Sequence, residues 1–178
     1  IDTRIIYLGT GEANKADVGL DLSDGDDKAE ISIDGYFNVL LGVTGGDGDD
    51  TVNISTNVTN LANKSLRIFP SPQKTYTIEA TVVGGEGNDT VVTRSNVTAV
   101  WLTVGFFEVT TGAGDDKVSI HNEGVTEVNI RVDTGEGNDS LEFDSRVGVG
   151  ILKSMDGGRS FIENLGTVTF TFTLGFGD

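Results

Sequence analysis

Cysteine is missing from this 178-residue sequence, and its absence removes disulfides, thiolate metal sites and cysteine nucleophiles from consideration. A single histidine, His121, cannot build a polyhistidine metal site. Only 2 prolines accompany 25 glycines, so the turns are tight and the linkers are not proline-rich. Basic residues are scarce: 12 Lys and Arg stand against 28 Asp and Glu, for a formal net charge of −16. That balance makes nucleic acid and anionic membrane surfaces poor partners. No run approaches the ~18 apolar residues of a membrane-spanning helix, so membrane insertion is not expected, and no signal peptide is visible. The length suits one domain or one array of coils, and 37% hydrophobic residues suit a folded one. A chain that opens on Ile1 reads as a processed protein or a piece of a longer one.

What the sequence has is one short turn that returns. Its fullest copy is Gly45-Gly46-Asp47-Gly48-Asp49-Asp50-Thr51-Val52, followed by Gly84-Gly85-Glu86-Gly87-Asn88-Asp89-Thr90-Val91. Gly112-Ala113-Gly114-Asp115-Asp116 and Gly135-Glu136-Gly137-Asn138-Asp139 repeat it, and Asp24-Gly25-Asp26-Asp27 is a weaker copy. The shared grammar is Gly-x-Gly-(Asp/Asn)-Asp-x-apolar. Glycine permits a tightly curled backbone whose carbonyls can face a cation, and the last aspartate adds a carboxylate at the exit. Oxygen donors without His or Cys suit calcium, a hard ion with 6–8 ligands, better than zinc or copper. Crowded acidic turns repel one another, so folding and metal binding should be linked. The competing reading is ordinary acidic hairpin turns, which have no reason to repeat this pattern.

These residues resemble the repeats-in-toxin (hemolysin-type) calcium repeat, Gly-Gly-x-Gly-x-Asp-x-apolar-x. The resemblance implies a parallel β-roll with calcium held between turns of adjacent coils, in secreted bacterial proteins. Carried over by position, the carboxylate ligands are Asp27, Asp50, Asp89, Asp116 and Asp139. The curls that supply carbonyl oxygens are those of Gly46 and Gly48, Gly85 and Gly87, Gly112 and Gly114, and Gly135 and Gly137. The family's units run in direct tandem, whereas here the final aspartates fall 23, 39, 27 and 23 residues apart. That spacing predicts one calcium turn per long coil and a calcium-free turn opposite.

Between the turns the apolar residues alternate with period two, which means strands with one buried face. Thr3–Leu8 and Val18–Leu22 open the series. Inbound strands are expected at 37–43, 76–82, 106–109 and 128–132, and outbound ones at 29–31, 52–54, 91–92, 118–120 and 141–143. Opposite corners fall at 55–59, 95–98 and 122–126, and no segment carries a helical apolar stripe. Sequons at Asn57 and Asn96 sit at those corners; those at Asn88 and Asn138 lie inside turns and are poor acceptors, and Asn53 and Asn63 complete the set. A proline-containing, locally basic stretch around Pro70 and Pro72 reads as an excursion from the coil. Ser154-Met155-Asp156-Gly157-Gly158-Arg159-Ser160-Phe161 resembles the Asp-box, which implies a structural hairpin. Thr167–Leu174 is a clean alternating strand, and Gly175-Phe176-Gly177-Asp178 begins another turn of the calcium type.

The fold expected is all-β: a right-handed parallel β-helix or β-roll-like solenoid over 1–143, with a calcium ladder along one edge and an excursion at 60–75. Residues 144–178 form a C-terminal β-hairpin region that continues or caps the array. An apolar strand at that end would need covering, by more of the same polypeptide or by a neighbouring subunit. No carboxylate pair converges in a recognisable reaction centre, so an enzyme is not expected. His121 reads as a solvated corner residue, and Trp101, Phe106 and Phe107 as core aromatics before a sugar-stacking platform. The function that follows is an extracellular or cell-surface structural module, stiffened by Ca2+ and prone to self-association: surface layer, matrix, adhesin stalk or filament. The rivals are the calcium-binding secretion domain of an exported enzyme and a glycan-binding adhesin module.

Overall fold

The computed structural model describes residues 1–8, 15–35, 38–59, 76–98, 103–125, 127–152 and 162–175. Twelve strands follow one another, with no helix among the described residues. They are β1 (Asp2–Leu8), β2 (Lys15–Asp21), β3 (Lys28–Asp34), β4 (Asn38–Asp47), β5 (Thr51–Thr59), β6 (Tyr76–Glu86), β7 (Thr90–Thr98), β8 (Thr103–Ala113), β9 (Lys117–Glu123), β10 (Glu127–Asp133), β11 (Asn138–Leu152) and β12 (Ile162–Gly175). Each of the first nine strands pairs with the strand two places on, and every one of these pairings is parallel. Odd strands therefore stack as a first sheet, β1-β3-β5-β7-β9-β11, and even strands as a second, β2-β4-β6-β8-β10, and the two are joined where β10 pairs with β11, Val128 opposite Leu152. This is the parallel β-solenoid that the alternating pattern predicts.

Period two decides which side chains meet inside. In the second sheet Val18, Leu41, Ala80, Phe107 and Ile130 share one register row, all facing the core. The large Phe107 ring fits because its neighbours are small: Ala80 lies beside it, and a Cβ on Gly105 would stand 2.8 Å from the ring. In the first sheet Ala29, Val52, Val91, Val118 and Leu141 form the matching row next to the turns. Burying such a Val, Leu or Ile side chain is worth about 1.5–3 kcal/mol, and neighbouring coils supply the partner surface.

The outbound strands run further than the sequence pattern suggests. Residues 55–59 and 95–98 belong to β5 and β7, not to corners. The reason is a polar stretch turned inward: Thr56 and Ser95 are buried and joined by a 2.9 Å hydroxyl bond, and Asn122 continues their row. Asn57 and Asn96 consequently lie in register on strands, with exposed side chains. Of the expected aromatic pair, Phe107 is core, but Phe106 points out.

At the C-terminal end β12 folds back and pairs antiparallel with β11, from Asn138 opposite Gly175 to Leu152 opposite Ile162. The expected alternating strand therefore covers the β11 edge from within the chain. The excursion with Pro70 and Pro72, Asn63, Trp101, the Asp-box stretch 154–161 and the final turn residues 176–178 lie outside the described residues.

Candidate metal centre in the stacked turns

The register that aligns the strands also aligns the turns. Gly46 pairs with Gly85 and Gly85 with Gly112, so equivalent turn residues stack coil upon coil. Gly46, Gly48, Gly85, Gly87, Gly112, Gly114, Gly135 and Gly137 all have positive φ. Their need for glycine is steric as well as conformational. A Cβ on Gly85 would strike the Gly46 carbonyl, one on Gly112 the Gly85 carbonyl, and one on Gly135 the Gly112 carbonyl. These carbonyls thus point along the solenoid axis onto the next coil. The weak first copy has Ser23 in this column, forced to a φ of 68°.

Asp27, Asp50, Asp89, Asp116 and Asp139 are brought together as one buried column. Each reaches back by one coil. Oδ1 of Asp50 accepts the Asp27 amide at 2.9 Å, Oδ1 of Asp89 that of Asp50 at 3.0 Å, Oδ1 of Asp116 that of Asp89 at 2.8 Å, and Oδ1 of Asp139 that of Asp116 at 3.0 Å. The amino group of Ile1 takes the same place on Asp27. The motif's preceding residue builds a second, exposed ladder of opposite direction. Asp26, Asp49, Asn88 and Asp115 each reach forward and accept the amide of the next coil, at 2.8–3.1 Å. Sequence reading overlooked this outer ladder, although Asp or Asn at that place in every copy was its signal.

The inner column has a deficit. Oδ2 of all five aspartates is buried and has no hydrogen-bond partner. A buried carboxylate oxygen left unpaired costs several kcal/mol if the group stays charged. Stacked strands lie ~4.8 Å apart, so each carboxylate also faces another across one coil. Burial accordingly pushes the Asp89 carboxyl up to about 6. The Asp50 amide opposes that rise, and the charges of Asp116 and Asp50 add to it. Asp50 is raised too, first by burial and then by the charge of Asp26.

Other oxygens lie beside the orphaned ones. A Cβ on Gly45 would collide with Asp50 Oδ2 and stand 2.6 Å from the Gly84 carbonyl of the next coil. One on Gly84 would collide with Asp89 Oδ2 and stand 2.9 Å from the Thr111 carbonyl. Carboxylate and carbonyl oxygens from adjacent coils thus converge at Gly45 and Gly84. The equivalent residues in the later coils, Thr111 and Thr134, are buried, and Thr111 donates its hydroxyl to the Thr134 carbonyl at 3.1 Å. No group of three or more His, Asp or Glu side chains gathers round one point among the described residues. The donor set is therefore one carboxylate oxygen per coil plus backbone carbonyls, a hard all-oxygen set of the kind calcium accepts. Compared with known proteins, the chain matches no family model, no curated protein and no solved structure.

Proposed function

We propose that the aspartate column takes up calcium, and that the chain is an extracellular structural module of the repeats-in-toxin kind that rigidifies and self-associates when the ion binds. One observation carries this reading: five buried carboxylate oxygens in a single row, each without a partner. A divalent cation seated between coils removes both the unpaired oxygen and the repulsion between neighbours. Asp27, Asp50, Asp89, Asp116 and Asp139 supply its charged ligands, and carbonyls such as those of Gly84 and Thr111 supply neutral ones. Extracellular modules hold calcium at about 10⁻⁴–10⁻³ M, so the ion would be lost in a cell interior and regained outside. The turns then act as a folding switch, and the stiffened rod suits a surface layer, matrix, stalk or filament.

The test is circular dichroism with light scattering across a calcium titration, reversed by chelator. Strand content and particle size should rise together with calcium and fall with chelation. Asp89→Ala and Asp116→Ala should each shift the midpoint to higher calcium. A titration in which neither substitution moves the midpoint removes the column from the metal site.

A further inference from the structure

Away from the turns, the outward face of the second sheet carries a groove that runs along the solenoid axis. Its walls are two rows of side chains from β6, β8 and β10: Glu79, Phe106 and Asn129 on one side, and Thr81, Glu108 and Arg131 on the other. The residues between these rows, Ala80, Phe107 and Ile130, turn their side chains into the core, so the floor is backbone. Phe106 is 42% exposed. Glu108 and Arg131 form an exposed ion pair at 3.1 Å, which fixes the far wall. Glu79, one coil from Phe106, has no polar partner among the described residues.

We propose that this groove binds a linear, non-anionic polysaccharide laid along the axis. This holds whether or not the turns take calcium. The first argument is period. Side chains in each wall recur every ~4.8 Å, close to the length of one hexopyranose in an extended glycan, so each sugar meets one coil. An extended peptide advances ~3.4 Å per residue and falls out of step within two coils. The second argument is chemistry. The flat apolar face of Phe106 matches the C–H face of a pyranose ring. Glu79 and Asn129, one coil to either side, offer an acceptor and an amide to the flanking hydroxyls. The third argument is charge: Arg131 offsets Glu108, which leaves Glu79 as the groove's unbalanced charge on a protein of net charge −16, and both disfavour uronates and sulfated sugars.

Calorimetric titration of the whole chain in saturating calcium tests this with three hexasaccharides: a β-1,4-glucan, its fully amine-bearing glucosamine counterpart, and polygalacturonate. The glucan or the glucosamine oligomer should bind, polygalacturonate at least tenfold more weakly. Phe106→Ala should reduce binding at least tenfold. Thr81→Gln, which fills the groove without changing charge, should do the same, while Ser55→Gln on the first sheet leaves binding unchanged. Circular dichroism on each variant confirms that strand content is kept. Failure of both non-anionic oligomers to bind, equal binding of polygalacturonate, or binding that survives both Phe106→Ala and Thr81→Gln overturns the proposal.

Discussion

Asp89→Asn is the substitution whose effect should change sign with the buffer. Asparagine keeps the oxygen that accepts the Asp50 amide, which Asp89 holds at 3.0 Å. Its Nδ2 replaces the unpartnered Oδ2, and the Thr111 carbonyl lies close by as an acceptor. In chelator the variant should therefore be more stable. The rise of the Asp89 pKa to about 6 from 3.8 corresponds to at most about 3 kcal/mol at neutral pH, at 1.36 kcal/mol per unit. Solvent screening at the turn reduces that to about 1–2 kcal/mol, or a Tm increase of about 3–6 °C for a domain of this size. In about 100 mM calcium the balance reverses. A site with a dissociation constant of about 10⁻⁴–10⁻³ M then contributes about 2.7–4.1 kcal/mol by mass action, and loss of an anionic ligand forfeits most of it. The assay is paired thermal melting of parent and variant in chelator and in calcium. A Tm shift of the same sign in both buffers would refute the reasoning, because the carboxylate would then be either unpenalised or unrelated to the ion.

The same column fixes the pH dependence. Asp89 is raised in the folded state, so that state binds the proton more tightly than the unfolded one between pH 3.8 and about 6. In chelator, stability should be greatest near pH 4 and fall by about 1–2 kcal/mol towards pH 7; in calcium, denaturant midpoints should show this fall abolished or reversed. Gly112→Ala places a Cβ against the Gly85 carbonyl at a φ of 107° and should cost more than about 3 kcal/mol. Gly19→Ala, with nothing within 4 Å and no positive φ, should instead gain about 0.4–1 kcal/mol in urea unfolding. Ser23→Gly should give a net gain of about 0.5 kcal/mol in the same assay, because the left-handed strain at φ 68° outweighs glycine's added unfolded-state entropy.

The solenoid was legible because two independent periods agree. Alternation along each strand marks the inward face, and recurrence of the glycine turn marks the coil. Irregular intervals did not blur it, since the coil absorbs length differences outside the paired strands, as between Asp50 and Asp89. Strand ends were less legible. Thr56, Ser95 and Asn122 read as corner residues because they are polar, yet register keeps them inside, where Thr56 and Ser95 bond each other. Phe106 and Phe107 show the same limit: adjacent aromatics must face opposite ways on a strand, and only the register with Ala80 and the space left by Gly105 say which ring goes in. The aspartate column was readable as a set of residues. Its deficit was not, because whether Oδ2 has a partner depends on contacts between coils that no single copy of the motif contains.

The two ladders run in opposite directions, and this bears on how the turns respond to any cation. Inner aspartates reach back to the previous coil and outer Asp/Asn residues reach forward to the next. A central coil thus bonds both neighbours twice, once through its own side chains and once through its amides. No turn can take its final shape while an adjacent coil is unformed, which makes the stack cooperative in one dimension. Charge compounds this: Asp89 has a carboxylate on both sides, Asp50 and Asp116, whereas Asp139 has, among the described residues, a column neighbour in Asp116 alone. Neutralising a central member therefore relieves two repulsions within a turn that four intercoil bonds tie to its neighbours. Calcium entering mid-column should order coils well beyond the pair it touches, so the transition should be steeper in calcium than independent sites allow.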